Sequence, residues 1–140
     1  MSKQFKIVSQ FVKDMSSETP DVETYFYVKE YLKNYNLDID IKTKPIKNRM
    51  IEIDTKLSYT DKGKTKNKSY FEITYASIVK IDEQIKDRKI IEKIILCDVQ
   101  KEIYPNLEKI FINLLSNSGF PGVKFGKKVD FEQLYNQRLN

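Results

Sequence analysis

Three times in succession between Leu37 and Ile81, side-chain character alternates with period two, and past Ile81 that period gives way to helical spacing. Leu37, Ile39 and Ile41 oppose Asp38, Asp40 and Lys42. Ile51, Ile53, Thr55, Leu57 and Tyr59 then share one side, as do Phe71, Ile73, Tyr75, Ser77 and Val79. Successive strand side chains point to opposite faces, so this pattern demands a sheet with one face covered. Phe5 to Met15 supplies a further strand, with Phe5, Ile7, Ser9 and Phe11 on one face. The lysine-rich stretch around Gly63 is short enough to be a hairpin connection. Beyond the strands, Ile90, Ile91, Ile94, Ile95 and Val99 repeat at helical spacing. Leu107, Ile110, Phe111, Leu114 and Leu115 continue that pattern to Gly119, with Pro105 breaking or starting an element. Asp130 opens a last short helix carrying Phe131, Leu134 and Tyr135. Between the first two strands, Thr19 suits an N-cap and Pro20 the first helical position. Val22, Tyr25, Phe26, Lys29 and Leu32 then form a helix face ending near Asn34. Strands first and helices after give an α+β fold, a four-stranded antiparallel sheet with helices packed on one face.

At 140 residues the chain has the size of one domain, residues 1–140, and folding should bury roughly 68% of its unfolded surface. Its side-chain inventory excludes much chemistry. With no histidine there is no Ser–His or Cys–His dyad and no imidazole base. With Cys97 as the only cysteine, neither an intrachain disulfide nor a multi-thiolate metal site can form. Asp38 and Asp40 share a polar strand face, with no third ligand converging on them. Gly119, Gly122 and Gly126 lie in a proline-containing loop and make no dinucleotide fingerprint. Cys97, among isoleucines, reads as a packing thiol. No catalytic group, metal or cofactor is expected. The start lacks the apolar core of a signal peptide, and no apolar run approaches the ~20 residues of a spanning helix, so the expected setting is the cytoplasm, without stable membrane insertion.

The net charge of +5 is concentrated. Residues 1–41 hold five lysines and seven acids, a balance of −2, whereas residues 42–69 hold nine basic and three acidic residues, a balance of +6. The tip, with Lys62, Lys64, Lys66 and Lys68, reads either as a phosphate-backbone patch or as a solvated turn. Arginine is scarce and no aromatic is interleaved at the tip to stack bases, which favours the turn and no nucleic-acid partner. A different surplus is more informative. Tyr25, Phe26, Tyr27, Tyr31 and Tyr35 crowd one segment, more rings than one amphipathic face can bury. They are either the floor of a groove for extended apolar polypeptide or core and oligomer interface.

The segment Phe11-Val12-Lys13-Asp14-Met15-Ser16-Ser17-Glu18-Thr19-Pro20 resembles the N-terminal signature of SecB, the bacterial protein-export chaperone family. Leu37 to Ile41 is similar to that family's second strand and Tyr70 to Ile78 to its fourth. Tyr104-Pro105 opens a helix as the family's aromatic-Pro does, and Phe120-Pro121 followed by Val129 to Tyr135 resembles its closing loop and last helix. The resemblance implies a SecB-like fold assembled as a homotetramer, a dimer of dimers. It implies a holdase that keeps unfolded precursor proteins unfolded without ATP and delivers them to the SecA translocation motor. It puts SecA docking on Asp14, Glu18, Tyr70 and Glu72. On the resulting hypothesis the client lies in grooves lined by Tyr25, Phe26, Tyr27 and Tyr31, and subunits meet through Ile110, Phe111, Leu114 and Leu115. The rival expectations are a SecB-like chaperone of a dedicated non-export client, such as a toxin–antitoxin partner, and a small basic RNA-binding module using the 62–68 hairpin.

Overall fold

A computed structural model of the chain describes residues 4–63, 65–125 and 129–138. Lys64 of the basic tip and Gly126 lie outside the described residues. Strands β1 (Phe5–Glu18), β2 (Asn36–Pro45), β3 (Met50–Thr60) and β4 (Tyr70–Ile81) form one antiparallel sheet in the order β1-β4-β3-β2. Helix α1 (Val22–Tyr31) and a 3-10 turn (Leu32–Asn34) join β1 to β2. After the sheet come α2 (Arg88–Lys93), a π segment (Ile94–Asp98), α3 (Val99–Asn117) and α4 (Phe131–Arg138). This is the expected sheet with helices on one face.

The alternation of β3 and β4 survives intact: Ile53, Thr55, Leu57 and Tyr59, with Phe71, Ile73, Tyr75, Ser77 and Val79, are all buried under the helices. The α3 stripe that covers them repeats every four residues, Val99, Ile103, Leu107, Phe111 and Leu115. Among these apolar side chains sits a fully buried polar contact. Gln100 Nε2 donates to Thr55 Oγ1 at 3.0 Å, both groups buried, which ties α3 to the middle of β3. Buried polar groups cost free energy unless paired, so this contact fixes the register of helix on sheet.

Strand β1 departs from its expected phase. Its register with β4 shifts between Ile7 and Ser9 and again between Val12 and Asp14. The extra residues, Val8 and Lys13, are bulges, and each reverses the faces of the residues after it. Phe5 and Ile7 oppose Ile81 and Val79 on the helix side, but Ser9 and Phe11 oppose Ile78 and Ala76 on the other side. The helix side is continued instead by Gln10, Val12 and Met15. The expected face of Phe5, Ile7, Ser9 and Phe11 is therefore split.

Three further local readings change. The N-cap of α1 is Asp21, not Thr19: its carboxylate accepts from the Thr24 amide at 2.7 Å, and that bond holds its pKa below the ordinary value. Thr19 is engaged elsewhere, 2.7 Å from the Ser69 hydroxyl. Pro105 neither starts nor breaks a helix but lies inside α3, on its exposed side, where water can satisfy the carbonyl left without an amide. The isoleucine stripe is also rephased. In the π segment the wider turn brings four consecutive residues, Ile94 to Cys97, to the interior, while Ile90 stays 43% exposed.

Candidate functional site

The sheet face away from the helices is charged. Cross-strand partners share a face, and on this one β2 presents Asp38, Asp40, Lys42 and Lys44, while β3 presents Glu52, Asp54, Lys56 and Ser58. The second bulge makes Lys13 available to this surface. Its Nζ reaches over β4 to Glu52 Oε2 at 2.6 Å and Asp54 Oδ2 at 2.9 Å. The β4 partner of Asp54 is Ala76, whose small side chain leaves room for the lysine. The two carboxylates push the Lys13 pKa up, and Lys13 in turn holds Glu52 below the ordinary carboxylate value.

At the end of the same face, the register gathers Asp14, Glu18, Tyr70 and Glu72. Glu18 lies opposite Tyr70, Glu72 opposite Ser16, and Asp14 opposite Thr74. Tyr70 is 49% exposed, and Lys56 stands 3.6 Å from Glu72. The result is an accessible acidic strip with an aromatic ring at its end.

The aromatic residues of α1 are not gathered in this way. Tyr25 is half-buried, donates its hydroxyl to the Gly119 carbonyl at 2.9 Å and packs on the Phe120 ring at 5.2 Å. It fastens α1 to the turn that comes after α3. Tyr27 and Tyr31 pack on each other with tilted rings at 4.6 Å, one helical turn apart, on the other flank of the buried Thr24–Val28 stripe. Phe26 points away from the body of the protein, 62% exposed, as does Val22 at 68%. The four rings therefore do not line one groove. Tyr35 belongs to the core: its hydroxyl donates to the Ser69 carbonyl and accepts from the Ser69 amide, and burial raises its pKa.

Of the residues expected at a subunit interface, Phe111 and Leu115 are fully buried against this chain's own sheet and so have no surface for a second chain. Ile110 and Leu114 are half-buried and keep an outward edge. The apolar surface that sequence reasoning missed is on β1, where Val8, Phe11, Val12 and Met15 are all exposed along an edge strand. The doublets Ile7-Val8 and Phe11-Val12, which break period two, were the available signal.

Cys97 is buried, and desolvation raises its thiol pKa, which makes it a packing group. In the basic hairpin, Lys62 pairs with Asp38 at 3.0 Å and Lys68 donates to the Gly63 carbonyl at 2.6 Å, so two of its lysines are held by the chain itself. No group of acidic or thiol side chains among the described residues could hold a metal ion. Among the same residues no helix is long and apolar enough to cross a membrane.

The sequence profile of the family described as "Preprotein translocase subunit SecB" matches residues 1–140. The chain belongs to the SecB family. It is 54% identical over 140 residues to the putative protein-export protein SecB of Pelagibacter ubique, the match covering 100% of both chains. It is 25% identical over 138 residues to the protein-export protein SecB of Parvibaculum lavamentivorans, covering 96% of this chain and 79% of that one. Among solved structures it is similar to a SecB-like chaperone of Mycobacterium tuberculosis in complex with an antitoxin peptide. There the TM-score is 0.66 at 8% identity, over 90% of this chain and 88% of the other. The SecB function, a protein-export chaperone that binds polypeptide clients, is given by that membership and agrees with a molecule whose distinctive surfaces are one acidic strip and scattered exposed apolar side chains.

Proposed function

We propose that the protein is a cytoplasmic, ATP-independent holdase that works as a homotetramer, captures unfolded precursors and hands them to the SecA motor. The observation that carries this reading is the apolar surface left on a SecB-family chain: Val8, Phe11, Val12 and Met15 on β1, and Val22, Phe26 and Tyr31 on and at the end of α1. Dispersed apolar sites suit a client that offers many short apolar stretches, because each contact is weak and several together hold by avidity. Subunits would meet through the outward edges of Ile110 and Leu114. The acidic strip of Asp14, Glu18, Tyr70 and Glu72 would dock SecA.

Two expected outcomes test the two surfaces separately. Phe26→Ser removes a ring whose burial by a client is worth about 1.5–3 kcal/mol, so capture of a precursor diluted from urea should weaken roughly tenfold or more. Phe26 is 62% exposed and meets the Tyr25 ring edge-on at 5.5 Å, so thermal unfolding should change little, and light scattering of the aggregating precursor is the readout. An unchanged aggregation profile would remove α1 from the client surface. Reversing the strip with Glu18→Lys and Glu72→Lys together should abolish SecA binding in surface plasmon resonance while precursor capture persists. Wild-type affinity should also fall with added salt, as exposed charges are screened within about 10 Å at 0.1 M. Undiminished SecA binding by the double variant would place docking elsewhere.

A further inference from the structure

On the sheet face away from the helices, charge is balanced from within on one half and left open on the other. Along β2 and β3 three opposite charges stand directly across from each other: Asp40 against Lys56, Lys42 against Asp54 and Lys44 against Glu52. Asp38, at the end of this half, pairs with Lys62 at 3.0 Å. On the β1–β4 half, Asp14 and Glu18 have no ion-pair partner among the described residues. Glu72 has one, and it comes from the other half: Lys56 Nζ lies 3.6 Å from Glu72 Oε1. Lys56 therefore stands on the boundary. It is directly opposite Asp40 on β2 and diagonal to Glu72 on β4, whose own partner on β3 is Ser58. A long side chain reaches both the opposite and the diagonal neighbour on its face. The Lys56 side chain is 43% exposed and lines a shallow depression of about 330 Å³ with Asp14, Asp40 and Thr74, so it has room to pass from one carboxylate to the other. Lys13 and Lys42, which line the same depression, face Asp54.

We propose that Lys56 is an internal competitor for the SecA docking strip: it holds Glu72 in the free protein, and a basic side chain of the partner displaces it toward Asp40. The inference rests on the reading above that the strip docks SecA, and adds to it a residue that sets how tightly. Displacement is easy for two reasons. Lys56 exchanges one carboxylate for another, so no charge on β2, β3 or β4 is left without a counter-charge. The contact that breaks is also an exposed ion pair, which shifts an equilibrium constant by at most about fivefold. Asp14 and Glu18 stay open for the first encounter, and Glu72 joins them once the partner's cation has taken the place of Lys56. Lys56 thus lowers the affinity of the strip without closing it, and favours release of the partner after delivery.

The test is a double-mutant cycle on the full chain, read as SecA affinity by surface plasmon resonance at 0.1 M salt. Lys56→Gln should bind SecA about twofold to fivefold tighter than wild type. Lys56→Arg, which restores the cation, should bind no tighter than wild type. In a Glu72→Gln background the Lys56→Gln change should have no effect, because the carboxylate it frees is gone. Lys44→Gln removes an equal charge from the far end of the same face. Its β3 partner Glu52 lies opposite Ile78, six residues along β4 from Glu72, roughly 20 Å away and beyond the screening length of about 10 Å, so affinity should stay as in wild type. Thermal unfolding should hardly move in any of these variants, since the charges involved are exposed. An unchanged or weaker affinity for Lys56→Gln would overturn the competitor role while leaving the strip as the docking site. A gain that persists in the Glu72→Gln background, or that Lys44→Gln matches, would also overturn it, since Lys56 would then act through the general field of the face. Absence of SecA binding by the wild-type protein would overturn the docking reading and this inference together.

Discussion

Phe111→Ala should lower stability against urea by about 3–5 kcal/mol, by the same amount at every protein concentration. Phe111 is fully buried under the sheet and packs against the Phe125 ring at 6.0 Å, within the same α3 stripe as Leu107 and Leu115. Truncation removes apolar contact area and leaves a cavity that a helix pinned by the Gln100–Thr55 contact cannot collapse to fill. Concentration is the decisive variable. A side chain at a subunit interface would lose its stabilising effect on dilution, because association and folding are linked by mass action. A core side chain loses nothing. Equilibrium unfolding of wild type and variant at two concentrations a hundredfold apart separates the two. A difference that vanishes in the dilute sample would return Phe111 to the interface.

Gly119→Ala should cost about 2–5 kcal/mol through a contact more than ninety residues apart in sequence. Gly119 ends α3 with φ of +101°, a conformation that side chains with a Cβ rarely adopt. An added Cβ would stand 2.6 Å from Cε1 of Tyr25. That ring cannot simply move aside, because its hydroxyl is bonded to the Gly119 carbonyl and its face packs on Phe120. The substitution therefore strains the turn and pushes α1 off the body. The urea midpoint should fall and tyrosine fluorescence should change in the folded state, since Tyr25 changes surroundings. A loss within about 0.5 kcal/mol, as at an ordinary surface position, would mean that α1 is not fastened at this point.

These two positions mark the boundary of what was legible in the sequence. The alternation of β2, β3 and β4 is visible because each strand has one covered face, half-buried on β2 and buried on β3 and β4, and nothing interrupts the count. On β1 the count is interrupted twice, at Val8 and Lys13, and a bulge is a backbone event that composition does not announce. The π segment hides in the same way. Ile94 to Cys97 read as part of a helical stripe, yet a wider turn buries all four and turns Ile90 outward. Periodicity likewise shows that one face of α3 is apolar but not whether its partner is this chain's sheet or another subunit, and for Phe111 and Leu115 it is the sheet. For α1 the number of rings was legible and their direction was not. Tyr25 and Tyr27 lie two positions apart and so on nearly opposite flanks, and only the fold decides which flank is covered. The acidic strip came from family resemblance rather than spacing: Asp14 and Glu18 lie more than fifty residues from Tyr70 and Glu72, and only the β1–β4 register brings them together.

The measurement that bears most directly on the chaperone role is native mass spectrometry of the protein mixed with an export precursor freshly diluted from urea. The expected result is a species of four subunits carrying one precursor, with unbound tetramer as the other main form and no such complex when the precursor is first allowed to fold. A monomer or dimer that leaves the unfolded precursor free would contradict both the assembly and the holdase role.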